Sequence, residues 1–349
     1  MVSLRAESAG AMKTAMYREA AEAPDRVGNQ LQRNAATLED LVHRLRSKPP
    51  AAMVTIGRGS SDHAATYARY LVETRLGILT SSLSPSIFSV FKAPLSLRDM
   101  LCLAISQSGR SPDLLAAAGA ARDSGAIVVA LVNDSDSPLA KIASVVLPQG
   151  AGIETSAAAT KSFIASLSAI AQMVALWSGD SAMQAALPQL PSALAQAWQS
   201  DWSSCLEKLQ SADHLYTVGR GLHLGIAQEA AHKLKETCMI HAEAFSSAEV
   251  LHGPNELAGS DFPVLVFRSE DATDASAVEA ARQLSAQGAS VMIAGGEDPG
   301  ASYVPRAPHP ALAPILQIQA FYRMANALAC ARGHNPDQPR HVQKVTHTV

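Results

Sequence analysis

The stretch AAMVTIGRGSSDHAA (residues 51–65) contains the pattern that decides the fold: a short apolar run, a Gly/Ser turn and the start of a helix. Its first seven residues have the length and the Val/Ile content of a strand that is buried on both faces. Further short apolar runs at 99–106, 126–134 and 144–150 alternate with helical segments. This alternation predicts right-handed βαβ units and a parallel sheet covered by helices on both faces.

The same pattern begins again in the second half of the chain. LYTVGRG (215–221) repeats the Thr-apolar-Gly-Arg-Gly order of VTIGRG (54–59), and apolar runs at 262–268 and 289–295 follow it. The repeat predicts a duplicated α/β domain. The predicted division is a helical N-terminal segment over 1–50, a first domain over 51–195, a second domain over 196–335 and a C-terminal tail over 336–349.

Composition and charge restrict the class of protein. The 349 residues, 48% hydrophobic and 17% charged, are typical of a globular chain with two domains. A net charge of −3 without a basic stripe argues against a nucleic-acid partner. No apolar run reaches the roughly 18 residues of a membrane span, and the N-terminus lacks the apolar core of a signal peptide. The four cysteines form no CxxC pair, so we expect reduced thiols in a soluble cytoplasmic protein without a metal.

Two Gly/Ser turns follow predicted strands and begin helices. The stretch SQSGRS (106–111) offers backbone N–H groups and three hydroxyls that suit a phosphate, and Gly109 allows close approach of the anion. Ser111 could equally cap the helix, with the other serines decorating a turn. GRGSS (57–61) has the same form, but Asp62 occupies the third glycine position of a dinucleotide fingerprint. A nucleotide cofactor is therefore not expected.

Residues 232–257 contain the densest cluster of ionisable groups in the chain. Lys233 and Glu236 are three residues apart, so on a helix they share a face. Such a pair is commonly a solvated surface pair. With His252 it could instead transfer protons between adjacent carbons and oxygens. Neither HExxH nor H-x₃-H occurs in the cluster, so it does not predict a zinc site.

Taken together, these motifs resemble the isomerase half of glucosamine-6-phosphate synthase, a family with two sugar isomerase (SIS) domains. The shared motifs are SQSG at 106–109, KLKE at 233–236, HAEA at 241–244, EVLHGP at 249–254 and DQPRHVQK at 337–344. ETSAAATKSF (154–163) is similar to a further family segment, with Ala159 where the family has Ser. The resemblance covers about residues 12–349. It implies an α/β fold of two tandem SIS domains, each a parallel sheet flanked by helices in a flavodoxin-like three-layer sandwich.

The resemblance also implies roles for individual residues. Glu236 matches the base that moves a proton between C1 and C2, and His252 matches the ring-opening acid/base that reaches the neighbouring subunit's site. Lys344 matches the tail lysine that forms a Schiff base with the open-chain ketose, although composition alone predicts a frayed tail. The matched phosphate-binding and sugar-binding residues are Ser61, Ser106, Gln107, Ser108, Ser111 and Lys233. The resemblance further implies a homodimer with shared active sites and no cofactor.

One departure from the family bears on the direction of the reaction. The synthase has an N-terminal glutaminase domain, whereas the SIS-like region of this sequence begins almost at its start. We therefore expect the reverse direction, glucosamine 6-phosphate and water to fructose 6-phosphate and ammonia, as in the SIS-type deaminases. The alternatives are a fructosamine-6-phosphate deglycase, a galactosamine-6-phosphate deaminase, and a non-catalytic phosphosugar sensor. A sensor that regulates transcription would need a basic helix-turn-helix segment, for which residues 1–50 are too short.

Overall fold

A computed structural model describes residues 13–296 and 300–341 of the chain. The described residues form two compact units. The N-unit comprises residues 25–152 and 165–188. The C-unit comprises residues 13–24, 153–164 and the described residues from 189 onward. The domain boundaries proposed from the sequence stay predictions.

Each unit contains one parallel sheet. The strands are β1 (Met53–Ile56), β2 (Thr80–Ser82), β3 (Leu101–Ser106), β4 (Ile127–Val132), β5 (Val145–Pro148), β6 (His214–Gly219), β7 (His241–Ser246), β8 (Pro263–Phe267) and β9 (Ser290–Ala294). Their order is β2-β1-β3-β4-β5 in the N-unit and β7-β6-β8-β9 in the C-unit. The second order repeats the first four strands of the first order. The expected parallel sheets and the expected duplication are therefore both present.

Helices cover these sheets. They are α1 (Ala15–Ala21), α2 (Ala23–Ser47), α3 (Ser60–Leu76), α4 (Ser86–Ser89), α5 (Pro112–Asp123), α6 (Pro138–Ile142), α7 (Lys161–Ser178), α8 (Ser181–Ala186), α9 (Leu190–Ala197), α10 (Ser203–Leu209), α11 (His223–Cys238), α12 (Asp274–Ala286) and α13 (Ala313–Ala331). α2 ends just before Pro49 and Pro50, as the sequence predicts, because proline cannot continue a helix.

Two strands were not anticipated from the sequence. β7 (HAEAFS) pairs with β6 and lies at the edge of the sheet that the described residues form, and two of its six residues are exposed. β2 is a three-residue edge strand with two exposed serines. By contrast, all six residues of β3 are buried. The apolar-run signal detects strands that are covered on both faces, and it does not detect polar edge strands.

The strand order of the N-unit changes direction between β1 and β3. These strands are neighbours, with Ile56 opposite Ala104. In open parallel sheets the crevice beyond such a point is where ligands bind. In this chain the 57–61 and 106–111 loops follow these two strands, so the fold places both candidate loops at the switch point.

The cysteines and the helices bear on two expectations from composition. All four cysteines are free thiols. Burial raises the pKa of Cys102 and Cys238 to about 12, which makes both thiols unreactive at neutral pH. Within the described part of the chain, no helix has both the length and the apolar character needed to cross a lipid bilayer.

Candidate functional site

The 106–111 loop of the N-unit is fixed by its own hydrogen bonds. The Ser106 hydroxyl oxygen accepts a hydrogen bond of 3.0 Å from the Gly109 N–H. Leu139 donates its N–H to the Gly109 carbonyl at 3.1 Å. Gly109 has φ +63°, and a Cβ atom there would lie 2.3 Å from the Ser137 hydroxyl oxygen. Only glycine fits this position, so the loop is built for a close turn rather than for a variable surface connection.

Ser111 stands at the start of α5 and does not cap it. Its backbone is extended, and its side chain makes no capping hydrogen bond. The capping alternative for this serine is therefore not what the structure shows. Gln107, Ser108 and Ser111 are partly exposed. Their positions beside the N-terminus of a 12-residue helix suit a bound anion, because the free N–H groups there carry partial positive charge.

The loop after β1 is joined to the start of α5 by an ion pair. Arg58 donates to Asp113 Oδ2 from Nε at 3.1 Å and from Nη2 at 2.7 Å. The Asp113 side chain is buried, so the guanidinium offsets a carboxylate that would repel a phosphate at the helix start. Gly57 allows a tight turn, since a Cβ there would lie 2.8 Å from the carbonyl carbon of Ser61. Ser61 is partly buried in this turn.

The C-unit contains a buried acid–base cluster on α11. Lys233 Nζ lies 2.5 Å from Glu236 Oε2 and 3.7 Å from Glu229 Oε1. Lys233 and Glu229 are fully buried, and the Glu236 side chain is only 8% exposed. Lys233 and Glu236 are therefore not a solvated surface pair. Burial opposes the charge of Lys233, but the carboxylates of Glu229 and Glu236 outweigh it and raise the pKa of the ammonium.

Two residues from other elements complete this cluster. Tyr322 on α13 donates its hydroxyl to Glu229 Oε1 at 2.9 Å. Burial, reinforced by the Glu229 carboxylate, raises the pKa of Tyr322 far above its ordinary value, so the phenol stays a neutral donor. Glu154, just before α7, accepts from the Thr160 N–H at 3.0 Å and the Ser162 hydroxyl at 2.6 Å. Its charge also acts on Lys233 and Tyr322.

Sequence reasoning assigned no role to Glu229, Tyr322 or Glu154. Glu229 precedes Lys233 by four residues and Glu236 by seven, so helical spacing was a sufficient signal. Tyr322 is 93 residues from Glu229, and no local pattern connects them.

His252 lies at an exposed position of the C-unit. It ends the short 3₁₀ helix Glu249–Leu251, its N–H donates to the Glu249 carbonyl at 2.9 Å, and its side chain is exposed. Gly253 follows with φ +115°, and a Cβ there would meet open space. The contribution of His252 to a neighbouring subunit's site stays a prediction.

The beginning of the C-terminal tail is anchored within the C-unit. The Asp337 carboxylate accepts from the N–H groups of Ala15 and Met16, each at 2.7 Å, and thereby caps α1. Ala157 donates its N–H to the Asp337 carbonyl at 3.0 Å. The expectation of a frayed tail is thus wrong for this part of the segment. Lys344 lies outside the described residues.

A family model and a curated relative match the chain along most of its length. The SIS domain model matches residues 48–176 and 208–298. The glutamine–fructose-6-phosphate aminotransferase (isomerizing) of Symbiobacterium thermophilum is 32% identical over 320 residues, which are 86% of this chain and 52% of that protein. The chain spans about half the length of the curated relatives it matches.

Two solved structures extend the comparison. A candidate phosphosugar isomerase from Silicibacter pomeroyi DSS-3 is 42% identical, with a TM-score of 0.88 over 93% of this chain and 100% of that one. The glucosamine-6-phosphate deaminase of Thermotoga maritima is 22% identical and shares the fold, with a TM-score of 0.74 over 94% of this chain and 100% of that one. With two matched segments and two parallel sheets, the chain belongs to the SIS-domain family.

Proposed function

We propose that the chain converts glucosamine 6-phosphate and water to fructose 6-phosphate and ammonia. The observation that carries the proposal is the buried contact of 2.5 Å between Lys233 and Glu236. The charge of Lys233 gives Glu236 a cationic partner that water does not screen. A carboxylate held in this way on a helix suits the transfer of a proton between adjacent carbons, because its direction is fixed before the substrate arrives.

The reaction begins with ring opening, for which His252 gives a proton to the ring oxygen while the C1 hydroxyl loses one. Glu236 then takes the proton from C2 of the open-chain amino aldehyde while O1 takes back the proton that the C1 hydroxyl lost in ring opening, which leaves an enolamine. Return of that proton to C1 yields an iminium at C2. Water adds to C2, ammonia leaves, and the C2 carbonyl of fructose 6-phosphate remains. In the version of this scheme that the family resemblance implies, the Lys344 amine adds to C2 in place of water and ammonia leaves. Water then hydrolyses the resulting Schiff base, which gives the ketone and frees Lys344.

The 106–111 loop binds the substrate phosphate in this proposal. The N-terminus of α5 and the hydroxyls of Ser108 and Ser111 supply donors, and the Ser106 oxygen holds the turn. The Arg58–Asp113 ion pair offsets the negative charge at the start of α5. Ser61 and Lys233 would contact the sugar.

The relatives support the same chemistry at C1 and C2. The Thermotoga protein, named as a deaminase, is matched along its whole length. The Symbiobacterium protein, named as an isomerizing aminotransferase, matches over its shared half. One name refers to removal of the amino group of glucosamine 6-phosphate and the other to amino transfer onto fructose 6-phosphate, and both reactions need proton transfer between C1 and C2.

An ammonia-release assay tests the proposal. We expect release from glucosamine 6-phosphate to exceed release from galactosamine 6-phosphate and fructosamine 6-phosphate, with fructose 6-phosphate as the matching product. Preference for either competitor would reassign the substrate. Binding of all three without turnover would indicate a phosphosugar sensor and would contradict an enzymatic role.

A further inference from the structure

Four side chains of the C-unit form a connected series that ends at the proposed base. The Tyr322 hydroxyl donates to Glu229 Oε1 at 2.9 Å, and Lys233 Nζ lies 3.7 Å from that same oxygen. Lys233 then contacts Glu236 Oε2 at 2.5 Å. The first three side chains are fully buried, so water does not screen the charges along the series.

We propose that Tyr322 is a positioning residue, whose hydroxyl satisfies Glu229 and thereby leaves the ammonium of Lys233 with Glu236. The inference rests on the proposed function, because it assigns the proton transfer to Glu236. Tyr322 itself acts through Glu229 and Lys233 and not on the substrate.

The distances indicate how the ammonium is shared. Two carboxylates compete for Lys233. Its Nζ lies 2.5 Å from Glu236 Oε2 and 3.7 Å from Glu229 Oε1, so it is 1.2 Å closer to Glu236. A buried carboxylate that loses a donor is destabilised, so Glu229 without the Tyr322 hydroxyl would draw the Lys233 ammonium toward itself. The hydrogen bond from Tyr322 meets part of this demand with a neutral group. The Tyr322 hydroxyl thus keeps the Lys233 ammonium closer to Glu236 than to Glu229.

Other charged groups around the series have different positions. Glu154 acts on both Lys233 and Tyr322, but its carboxylate accepts hydrogen bonds from its own segment, residues 154–162. His232 Nε2 lies 3.6 Å from Glu236 Oε2 and is partly exposed. On β7, which packs against α11, Glu243 acts on Tyr216.

The test uses the pH profile of kcat/KM. Tyr322→Phe should move the acidic limb to higher pH by about half a unit to one unit, because Glu236 loses part of its cationic partner. Glu229→Gln should move the limb to lower pH, because the Lys233 ammonium then interacts with the Glu236 carboxylate alone of the two. In the Glu229→Gln background, Tyr322→Phe should have no further effect on the limb. Tyr67→Phe, which alters another fully buried tyrosine, should leave the limb in place.

A second readout does not depend on turnover. Carbon-13 NMR of protein labelled at the glutamate carboxyl carbons follows the titration of Glu236 directly, with the signal assigned by its loss in Glu236→Gln. Its midpoint should rise in Tyr322→Phe and fall in Glu229→Gln. An unchanged midpoint in Tyr322→Phe, or a shift in the direction of Glu229→Gln, would overturn the inference.

The two readouts separate this inference from the proposed function. Absence of turnover on every phosphosugar, with the expected midpoint shifts, would contradict the proposed reaction and support the link from Tyr322 to Glu236. Turnover with unchanged midpoints would support the proposed reaction and contradict that link. If Tyr322→Phe does not fold, the fall of the midpoint in Glu229→Gln remains the required result, and its absence would overturn the inference.

Discussion

His223 begins α11 with an imidazole that is wholly buried. Neither of its ring nitrogens has a hydrogen-bond partner within the described chain. Burial lowers the pKa of His223 from 6.5 to about 4, although the charges of Asp271 and Asp274 act in the opposite direction. The histidine is therefore neutral in the folded protein at neutral pH, and protonation of this side chain opposes folding.

This burial makes a testable contribution to stability. Because the folded pKa lies below 6.5, the unfolded chain takes up the proton first as the pH falls. The stabilising contribution is complete above about pH 6.5 and is lost as the pH falls toward 4. The difference in unfolding free energy between wild type and His223→Gln should therefore shrink by on the order of 3 kcal/mol between pH 7 and pH 4.

Urea denaturation at pH 7, 5.5 and 4 measures this difference. His43→Gln alters an exposed histidine and is the matched control. A difference for His223→Gln that stays constant across this range would show that its protonation is not linked to folding.

At the scale of elements, the 106–111 loop depends on one backbone position. Gly109 and Gly77 have similar positive φ values of +63° and +65°, but a Cβ at Gly77 would meet no atom within 4 Å. Gly77→Ala should cost only backbone strain, on the order of 1 kcal/mol. Gly109→Ala should cost more and also raise the KM for the phosphosugar, because the new Cβ displaces Ser137. Equal effects of the two changes on stability and KM would contradict the conclusion that the 106–111 loop requires glycine at position 109.

A substitution at Ser111 can distinguish a role in phosphate binding from a role in helix capping. Since its side chain makes no capping bond, Ser111→Ala should leave thermal stability nearly unchanged. The same change should raise the KM for the phosphorylated sugar about 10-fold, the effect of one lost hydrogen bond to a charged group. Asp180→Ala is the control, because Asp180 does cap its helix by accepting from the Met183 N–H at 2.9 Å. A stability loss in Ser111→Ala equal to that control, with KM unchanged, would make the serine structural.

The elements also show what a sequence can specify. β3 and β4 are apolar runs, so burial on both faces made them recognisable. The pairing of Lys233 with Glu236 follows from helical spacing. The contact of Tyr322 with Glu229 depends on how α13 packs against α11, and β7 depends on pairing with β6. Tertiary contacts of this kind leave no local pattern in the sequence.

At the scale of the whole molecule, the family resemblance implies that His252 serves a neighbouring subunit. His252→Ala and Glu236→Gln should each be inactive alone. Mixed under conditions that exchange subunits, the two proteins should recover about a quarter of wild-type activity, because half of the dimers rebuild one of two sites. The exposed position of His252 fits such a role. No recovery, with subunit exchange verified by labelled subunits, would place each site within one chain.

The central claim is that Glu236 moves a proton between C1 and C2 of a hexose 6-phosphate. Incubation of the enzyme with fructose 6-phosphate in deuterated water, followed by proton NMR, tests it most directly. Wild type and the exposed control Glu207→Gln should incorporate deuterium at C1, and Glu236→Gln should do so about 10² to 10⁴ times more slowly while still binding the sugar phosphate. Deuterium incorporation by Glu236→Gln at the wild-type rate would contradict the account.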